Sequence, residues 1–163
     1  MGMTLLREKD GLKAAVAKAF AEDDEVLVET LINGTEVTCG VLRGSDGIIV
    51  LPLTEIVSKK EFFDYEAKYV KGKADEITPA RISEEQEKHV KRISANLYHQ
   101  LNCNGVVRFD YILSEGAYYF LEVNTVPGMS EASIVPQQAE FYGLTLTSMI
   151  SMLLEEAFAL GAR

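Results

Sequence analysis

Alternation of apolar and polar side chains over residues 105–124 constrains the fold more strongly than any other feature of this sequence. Two runs rich in β-branched and aromatic residues flank a short reversal, Ser-Glu-Gly at residues 114–116, and this pattern predicts a β-hairpin. Because successive side chains of a strand point to opposite faces, a reversal centred near Gly116 brings four polar side chains onto one face. They form two directly opposed pairs, Arg108 with Asn124 and Asp110 with Glu122. The opposite face, which we expect to join the core, carries Phe109, Tyr111, Leu121 and Val123.

The opposed carboxylates of Asp110 and Glu122 would repel each other across the hairpin unless a cation lies between them. Carboxylate, amide and phosphate oxygens are the ligands that Mg²⁺ prefers, and Arg108 beside them would hold an anion. The hairpin therefore predicts a metal–phosphate site on a sheet. The alternative is an ordinary solvated face of an antiparallel sheet. Two features favour a site: acid opposes acid, and a turn at residues 125–128 follows the second strand at once.

Length and composition limit the classes of protein to which the chain can belong. Its 163 residues, 47% hydrophobic and 25% charged, suit one globular domain. A net charge of -9 without a basic cluster argues against a nucleic-acid partner. The longest apolar run, residues 48–53, is too short to cross a membrane, and no secretion signal is present, so we expect a cytoplasmic protein. Cys39 and Cys103 fit no metal or redox spacing and are expected to be reduced thiols.

The remaining periodicity predicts an α+β fold, with helices packed on a largely antiparallel sheet. The expected elements, in chain order, are a helix after Asp10, strands at residues 26–30, 35–42 and 48–53, a helix opened by a Ser83–Gln86 capping box, the hairpin, and a helix over residues 146–160. The last helix is expected to turn Met149, Ile150, Leu153, Leu154 and Phe158 toward the core. The sequence contains neither of the standard glycine-rich phosphate loops and no nucleophile elbow.

Residues 121–129, Leu-Glu-Val-Asn-Thr-Val-Pro-Gly-Met, together with Ser-Ile-Val-Pro at 133–136, resemble the signature of the D-alanine–D-alanine ligases. The resemblance continues through residues 105–110, 63–69 and 28–37, in the right order and spacing, and so covers nearly the whole chain. These are ATP-grasp enzymes of peptidoglycan synthesis. The resemblance implies an ATP-grasp C-terminal lobe, ATP and Mg²⁺ (or Mn²⁺) as cofactors, and ligation of two D-alanine molecules through an acylphosphate.

The resemblance also implies roles for individual residues. Those matching the metal ligands are Asp110, Glu122 and Asn124. Those matching residues that act on the phosphates and reacting groups are Arg108, Lys68 and Tyr69. Those matching the nucleotide pocket are Glu29 and Leu31 at the adenine hinge, Glu36 at the ribose, Lys68 at the phosphates, and Phe62, Ile112 and Leu121 around the adenine. Those matching the site of the second D-alanine are Gly128, Ser133 and Ile134.

The sequence departs from the family pattern at its front. Residues 1–7 resemble the middle of such an enzyme, so we expect residues 1–163 to be a C-terminal ATP-grasp domain without the N-terminal domain and part of the central domain. We accordingly expect no ligase turnover from this chain alone. The family resemblance is compatible with a homodimer of the full-length enzyme. Two alternatives stay open: another ATP-grasp carboxylate–amine ligase, and a non-catalytic module that binds nucleotide or metal.

Overall fold

The computed structural model of the chain describes residues 2–44, 47–58 and 74–161. The chain divides into two compact units, Met1–Ile32 and Asn33–Arg163, and each is described by itself.

The first unit contains one helix. A 3-10 turn at Lys9–Gly11 leads into α1 (Leu12–Phe20), as the sequence predicts. The strand predicted at residues 26–30 is wrong, because this segment pairs with no other strand among the described residues. Leu27 is 80% exposed and Val28 is 65% exposed, so their β-prone side chains find nothing to pack against in the described part of the chain.

The second unit is built on an antiparallel sheet, which confirms the predicted fold class. Its described strands are β1 (Thr35–Gly44), β2 (Gly47–Val50), β3 (Thr54–Ser58), β4 (Ala74–Ile77), β5 (Val106–Ser114) and β6 (Ala117–Asn124). The strand order is β4-β3-β1-β5-β6, and β2 pairs with the far end of β1. The strand predicted at residues 48–53 is shorter than expected: β2 ends at Val50, and β3, which pairs with another part of β1, begins at Thr54. The short polar edge strand β4 was not predicted from the sequence.

One face of the sheet packs against α2 (Glu84–Gln100). The predicted capping box is confirmed: Gln86 N donates to Ser83 Oγ at 3.2 Å, and Ser83 N donates to Gln86 Oε1 at 2.9 Å. Buried residues of this core include Val37, Cys39, Phe109 and Tyr111 from the sheet and Val90 and Tyr98 from the helix. Cys39 is a free thiol in this core, and burial raises the pKa of its thiol to about 12.

The other face of the sheet is covered at one end by α3 (Ile134–Tyr142) and α4 (Leu146–Gly161). Their cluster contains Leu42, Leu51, Val135, Ala139 and Met149. The sequence predicts α4 but not α3. It also places too many α4 residues in the core: Met149 is buried, whereas Ile150, Leu154 and Phe158 are 36%, 54% and 76% exposed. Since α3 and the sheet cover only one side of α4, its apolar stripe is wider than its buried face.

Among the described residues, no single helix is long and apolar enough to cross a membrane. Only α3 and α4 taken together, bent by 103° where they join, reach the necessary length and apolarity.

Candidate nucleotide and metal site

The β5–β6 hairpin carries the predicted register. Arg108 pairs with Asn124, and Asp110 pairs with Glu122. The turn is tighter than expected, because Ser114 pairs with Ala117 and only Glu115 and Gly116 form the loop. Both loop residues have positive φ, 49° and 80°, as a two-residue turn that matches strand twist requires.

A β-bulge beyond Asp110 compensates for the short turn. The pairing shifts from Asp110–Glu122 to Tyr111–Phe120, so Leu121 is the extra residue of β6. The Phe120 ring lies against the core ring of Tyr111, with 5.8 Å between centroids. The prediction that Leu121 belongs to the core is therefore wrong: it is 46% exposed, because the bulge removes it from the alternation.

Strand β1 extends the polar face of the hairpin by a further strand. Directly opposed residues of an antiparallel pair share a face, so they form rows across the sheet. The Arg108 row consists of Gly40, Arg108 and Asn124; the Asp110 row of Thr54, Thr38, Asp110 and Glu122; the Glu36 row of Glu76, Ile56, Glu36, Ile112 and Tyr119. The structure thus places the predicted ribose residue Glu36 directly opposite the predicted adenine residue Ile112. Both lie one row away from the predicted metal ligands Asp110 and Glu122 and two rows away from Asn124.

Arg108 and Asp110 form a two-pronged ion pair within β5. Arg108 Nε donates to Asp110 Oδ1 and Arg108 Nη2 donates to Asp110 Oδ2, each at 2.8 Å. The side chains are only 12% and 8% exposed. A solvated sheet face would not bury an ion pair, so the solvated-face alternative does not describe these two residues. The guanidinium holds both carboxylate oxygens that a cation would use.

The side chains predicted as metal ligands have the oxygen chemistry that Mg²⁺ requires. Asp110 and Glu122 are opposed across the hairpin, and Asn124 lies on the same face one row away. Asn124 Oδ1 accepts a hydrogen bond from Val126 N at 3.1 Å, which fixes the amide and leaves the oxygen a second lone pair. Within the described ranges no three His, Cys, Asp or Glu side chains group as a metal site. The predicted set is instead two carboxylates and one amide, and it fits a hard cation.

The segment that follows the hairpin brings together the residues predicted to hold the second amino acid. Ser133 is the N-cap residue of α3, yet its side chain makes no capping hydrogen bond. Its hydroxyl lies 2.8 Å from Ser130 Oγ, and a Cβ at Gly128 would approach it to 2.8 Å. Ile134 is the first residue of the helix. A side chain at position 128 would therefore require the Ser133 hydroxyl to move.

The remaining predicted site residues do not lie in the described part of the second unit. Glu29 and Leu31 belong to the first unit, where both are exposed. Phe62, Lys68 and Tyr69 lie outside the described residues.

Sequence reasoning missed one buried polar side chain beside the site, that of Gln138 on α3. It is fully buried and bonds to the backbone of β1. Gln138 lies three positions after Val135, and Ala139 lies four positions after it, so in a helix all three residues share one face. This spacing could have identified Gln138 as buried, but α3 was not predicted.

Comparisons with known proteins agree with this arrangement. The family described as D-ala D-ala ligase C-terminus matches residues 1–155. A D-alanine–D-alanine ligase of Bacteroides fragilis is 44% identical over 158 residues, which are 96% of this chain and 48% of the relative. One from Christiangramia forsetii is 46% identical over 156 residues, with the same coverage. The chain thus spans about half the length of the curated relatives it matches.

Solved structures show the same likeness. A Bacillus anthracis D-alanine–D-alanine ligase complexed with ATP superimposes with a TM-score of 0.78 at 32% identity, covering 96% of this chain and 50% of that one. The VanG D-Ala:D-Ser ligase of Enterococcus faecalis gives a TM-score of 0.82 at 39% identity, covering 94% and 45%. The sheet that presents the opposed acids Asp110 and Glu122 and the largely buried Arg108 on one face thus has the fold of the C-terminal part of these ligases. The chain belongs to the D-alanine–D-alanine ligase family, to the part that forms the C-terminus of its members.

Proposed function

We propose that residues 1–163 are the C-terminal ATP-grasp domain of a cytoplasmic ligase that joins two D-alanine molecules for peptidoglycan precursor synthesis. In this reaction the carboxylate of the first D-alanine takes the γ-phosphoryl group of ATP, and ADP leaves. The amine of the second D-alanine then attacks the acyl carbon and displaces phosphate. The observation that carries the proposal is the shared sheet face, on which the Glu36, Asp110 and Arg108 rows follow one another.

The chain's own residues have defined tasks in this proposal. Asp110, Glu122 and Asn124 would hold Mg²⁺, which when bound neutralises charge on the phosphates. Arg108, whose planar guanidinium suits bidentate recognition of oxyanions, would steady the transferred phosphoryl group and the oxyanion. Glu36 would accept from the ribose hydroxyls, and the apolar side chains of Ile112 and Leu121 would line the adenine pocket.

Further residues enter the proposal through the family resemblance alone. Glu29 and Leu31 are proposed at the adenine hinge. Phe62, Lys68 and Tyr69 are proposed for the adenine pocket, the ATP phosphates and the reacting groups, respectively. Gly128, Ser133 and Ile134 are proposed to hold the second D-alanine, with the Ser133 hydroxyl at its carboxylate. That hydroxyl does not cap α3, which supports this role.

Calorimetric titration of this chain with ADP and Mg²⁺ tests the nucleotide and metal site. We expect Mg²⁺-dependent ADP binding that is lost in Glu122→Ala, Asn124→Ala. The matched control is Glu85→Ala, Asn96→Ala, which removes the same two side-chain types from exposed positions on α2 and is expected to bind as wild type. A folded wild-type chain that does not bind ADP with Mg²⁺ would contradict the proposed site.

Ligase activity is tested by joining this chain to the N-terminal portion of the Bacteroides fragilis relative. We expect D-alanyl-D-alanine from the joined protein and none from this chain alone; steady product formation by the chain alone would refute the latter. The likeness to the VanG ligase, described as D-Ala:D-Ser, makes D-serine the competing second substrate. Equal amounts of D-alanine and D-serine in the same assay decide between them, and we expect D-alanine to be preferred.

A further inference from the structure

Strand β1 has two partners along one edge, with an interval between them. β3 pairs with Glu36–Thr38, and β2 pairs with Val41–Gly44. Between these stretches no strand of the described chain covers the edge of β1. Buried backbone groups there still need hydrogen-bond partners. Leu51 N, from the connection between β2 and β3, donates to Gly40 O at 2.9 Å.

The side chain of Gln138 fills the rest of this interval. Its Oε1 accepts from Gly40 N at 3.0 Å, and its Nε2 donates to Thr38 O at 2.9 Å. The carboxamide thus offers β1 the acceptor and donor of a peptide group, as a neighbouring strand would. Its second amide hydrogen goes to Thr54 Oγ1 at 3.0 Å, and that hydroxyl in turn lies 2.6 Å from Thr78 Oγ1. Of the uncharged side chains, only those of Gln and Asn combine a carbonyl acceptor with an amide donor in this way.

The two residues that Gln138 holds are the cross-strand partners of the site's ion pair. Thr38 is directly opposite Asp110, and Gly40 is directly opposite Arg108. Glycine at position 40 makes the contact possible, because a Cβ there would come within 2.7 Å of Gln138 Oε1. The helix that carries Gln138 begins directly after Ser133. One carboxamide therefore joins the strand behind Arg108 and Asp110 to the helix of the predicted second-substrate segment.

We propose that Gln138 is a positioning residue: its carboxamide completes the edge of β1 and thereby fixes Arg108 and Asp110 relative to α3. The inference deepens the proposed function and rests on it for the identity of the ligand. The hydrogen bonds that carry it do not depend on any ligand.

The test compares two folded variants of this chain. Gln138→Met keeps the length of the side chain and removes the donor and the acceptor. Met149→Ala truncates a fully buried residue of α4 and removes none of the hydrogen bonds that Gln138 makes with β1. Melting temperature is recorded for both, so that a general loss of stability is measured separately. Should Gln138→Met fail to fold, Thr54→Val takes its place, because it removes one of the carboxamide's anchors.

The first measurement is the Arg108 Nε–H signal in the NMR spectrum, which reports the hydrogen bond to Asp110 and needs no ligand. We expect Gln138→Met to shift this signal and to speed exchange of the Gly40 amide, while Met149→Ala changes neither. An unshifted Arg108 signal in folded Gln138→Met, or an equal shift in Met149→Ala, would overturn the proposal. Because no ligand is present, this result stands whether or not the proposed nucleotide site is correct.

The second measurement is the affinity for ADP with Mg²⁺. We expect Gln138→Met to weaken binding by about tenfold or more, which is the effect typical of residues that support a ligand site. Met149→Ala, at an equal or larger loss of melting temperature, should change the affinity by no more than about twofold, since its side chain makes none of the hydrogen bonds that hold Thr38 and Gly40. Equal affinities of Gln138→Met and wild type would overturn the proposal. Failure of the wild type itself to bind counts against the proposed function, and the NMR result then decides on Gln138.

Discussion

Arg108 donates two hydrogen bonds of 2.8 Å to the carboxylate of Asp110, which lies two residues further along the same strand. The guanidinium occupies both oxygens of a proposed cation ligand and places a positive charge beside the proposed site. Without nucleotide, the arginine and a divalent cation bound at the proposed site would therefore compete for the same carboxylate.

Replacement of Arg108 is expected to change cation and nucleotide binding in opposite directions. In Arg108→Gln, free Mn²⁺ should bind more tightly than in wild type, because Asp110 is released and a positive charge is removed. Binding of ADP with Mg²⁺ should weaken, because the phosphates lose a bidentate partner. Free Mn²⁺ measured by electron paramagnetic resonance, and calorimetry with ADP, check the two effects.

Arg81→Gln provides the control for that experiment. Arg81 likewise donates two hydrogen bonds to a single carboxylate, that of Glu55, at 2.8 and 2.9 Å. Neither Arg81 nor Glu55 belongs to the rows of the proposed site. We expect its Mn²⁺ affinity to equal that of wild type. Weaker Mn²⁺ binding in Arg108→Gln would count against the competition.

The buried hydroxyl of Thr38 is expected to lower the free energy of unfolding. Thr38 Oγ1 is buried and has no hydrogen-bond partner among the described residues. Thr38→Val should therefore leave the free energy of unfolding unchanged or raise it, whereas Thr54→Val should lower it by about 1–3 kcal/mol, because it leaves part of the Gln138 amide unsatisfied. Urea unfolding of the matched pair measures both. A loss in Thr38→Val as large as that in Thr54→Val would show that the hydroxyl is bonded in solution.

Acid should destabilise the fold through Glu55. Its hydrogen bonds from the Arg81 guanidinium hold the pKa of the Glu55 carboxyl below its usual value of 4.5. A carboxyl with a lowered pKa in the folded state stabilises the protein above its unfolded-state pKa, and this stabilisation is lost as the pH falls through the folded-state pKa. Glu55→Gln should therefore be less stable than wild type at pH 7 and lose less stability on acidification below pH 4.5.

The control for this pH dependence is Glu84→Gln. Glu84 pairs with Lys88 one helical turn away, and the two side chains are 80% and 72% exposed. Exposed pairs contribute little, so this variant should follow the wild-type pH profile. Thermal melting between pH 3 and pH 7 makes the comparison. Parallel profiles for Glu55→Gln and wild type would exclude the Arg81–Glu55 pair as the source.

Asparagine in place of Glu115 is expected to stabilise the hairpin turn. Glu115 adopts a φ of 49°, a left-handed conformation that costs most residues energy and that asparagine tolerates. Glu115→Asn should raise the free energy of unfolding by about 0.5–1 kcal/mol, whereas Gly116→Ala should lower it by about 1–2 kcal/mol. Chemical unfolding measures both. A neutral Gly116→Ala would mean that the loop adopts another conformation in solution.

The hairpin register could be predicted from the sequence, but part of the reasoning behind it was wrong. The predicted reversal is one residue longer than the loop at Glu115 and Gly116, and the bulge at Leu121 adds the missing residue back. These two differences cancel at Asp110 and Glu122, so the pairing of these two residues was predicted correctly while the side of Leu121 was not. Alternation of side chains reports which face a residue occupies in a regular strand, and it carries no information about a bulge.

The elements that the sequence misjudged depend on contacts far away along the chain. Strand β4 is short and polar, and it is a strand because β3 offers it an edge. Residues 26–30 have the composition of a strand and no partner in the described structure. Gln138 is hydrogen-bonded to β1 although it lies about a hundred positions away along the chain, and local periodicity cannot predict such a contact. The part of the polar face on the hairpin was predictable because β5 and β6 are adjacent in sequence, whereas the contribution of β1 was not.

The bulge at Leu121 has a consequence for how sequences of this kind are compared and engineered. In an unbroken strand Phe120 and Glu122 would lie on the same side, whereas here one meets the core rings and the other opposes Asp110. Which face of the sheet the β6 side chains before Leu121 occupy therefore depends on this one extra residue. Deleting that residue would send either the acid or the aromatic ring to the wrong side, although a substitution at the same position would not. Insertions and deletions in this hairpin should consequently be tolerated only in pairs, and a graft of its acids onto another sheet must carry the surplus residue with it.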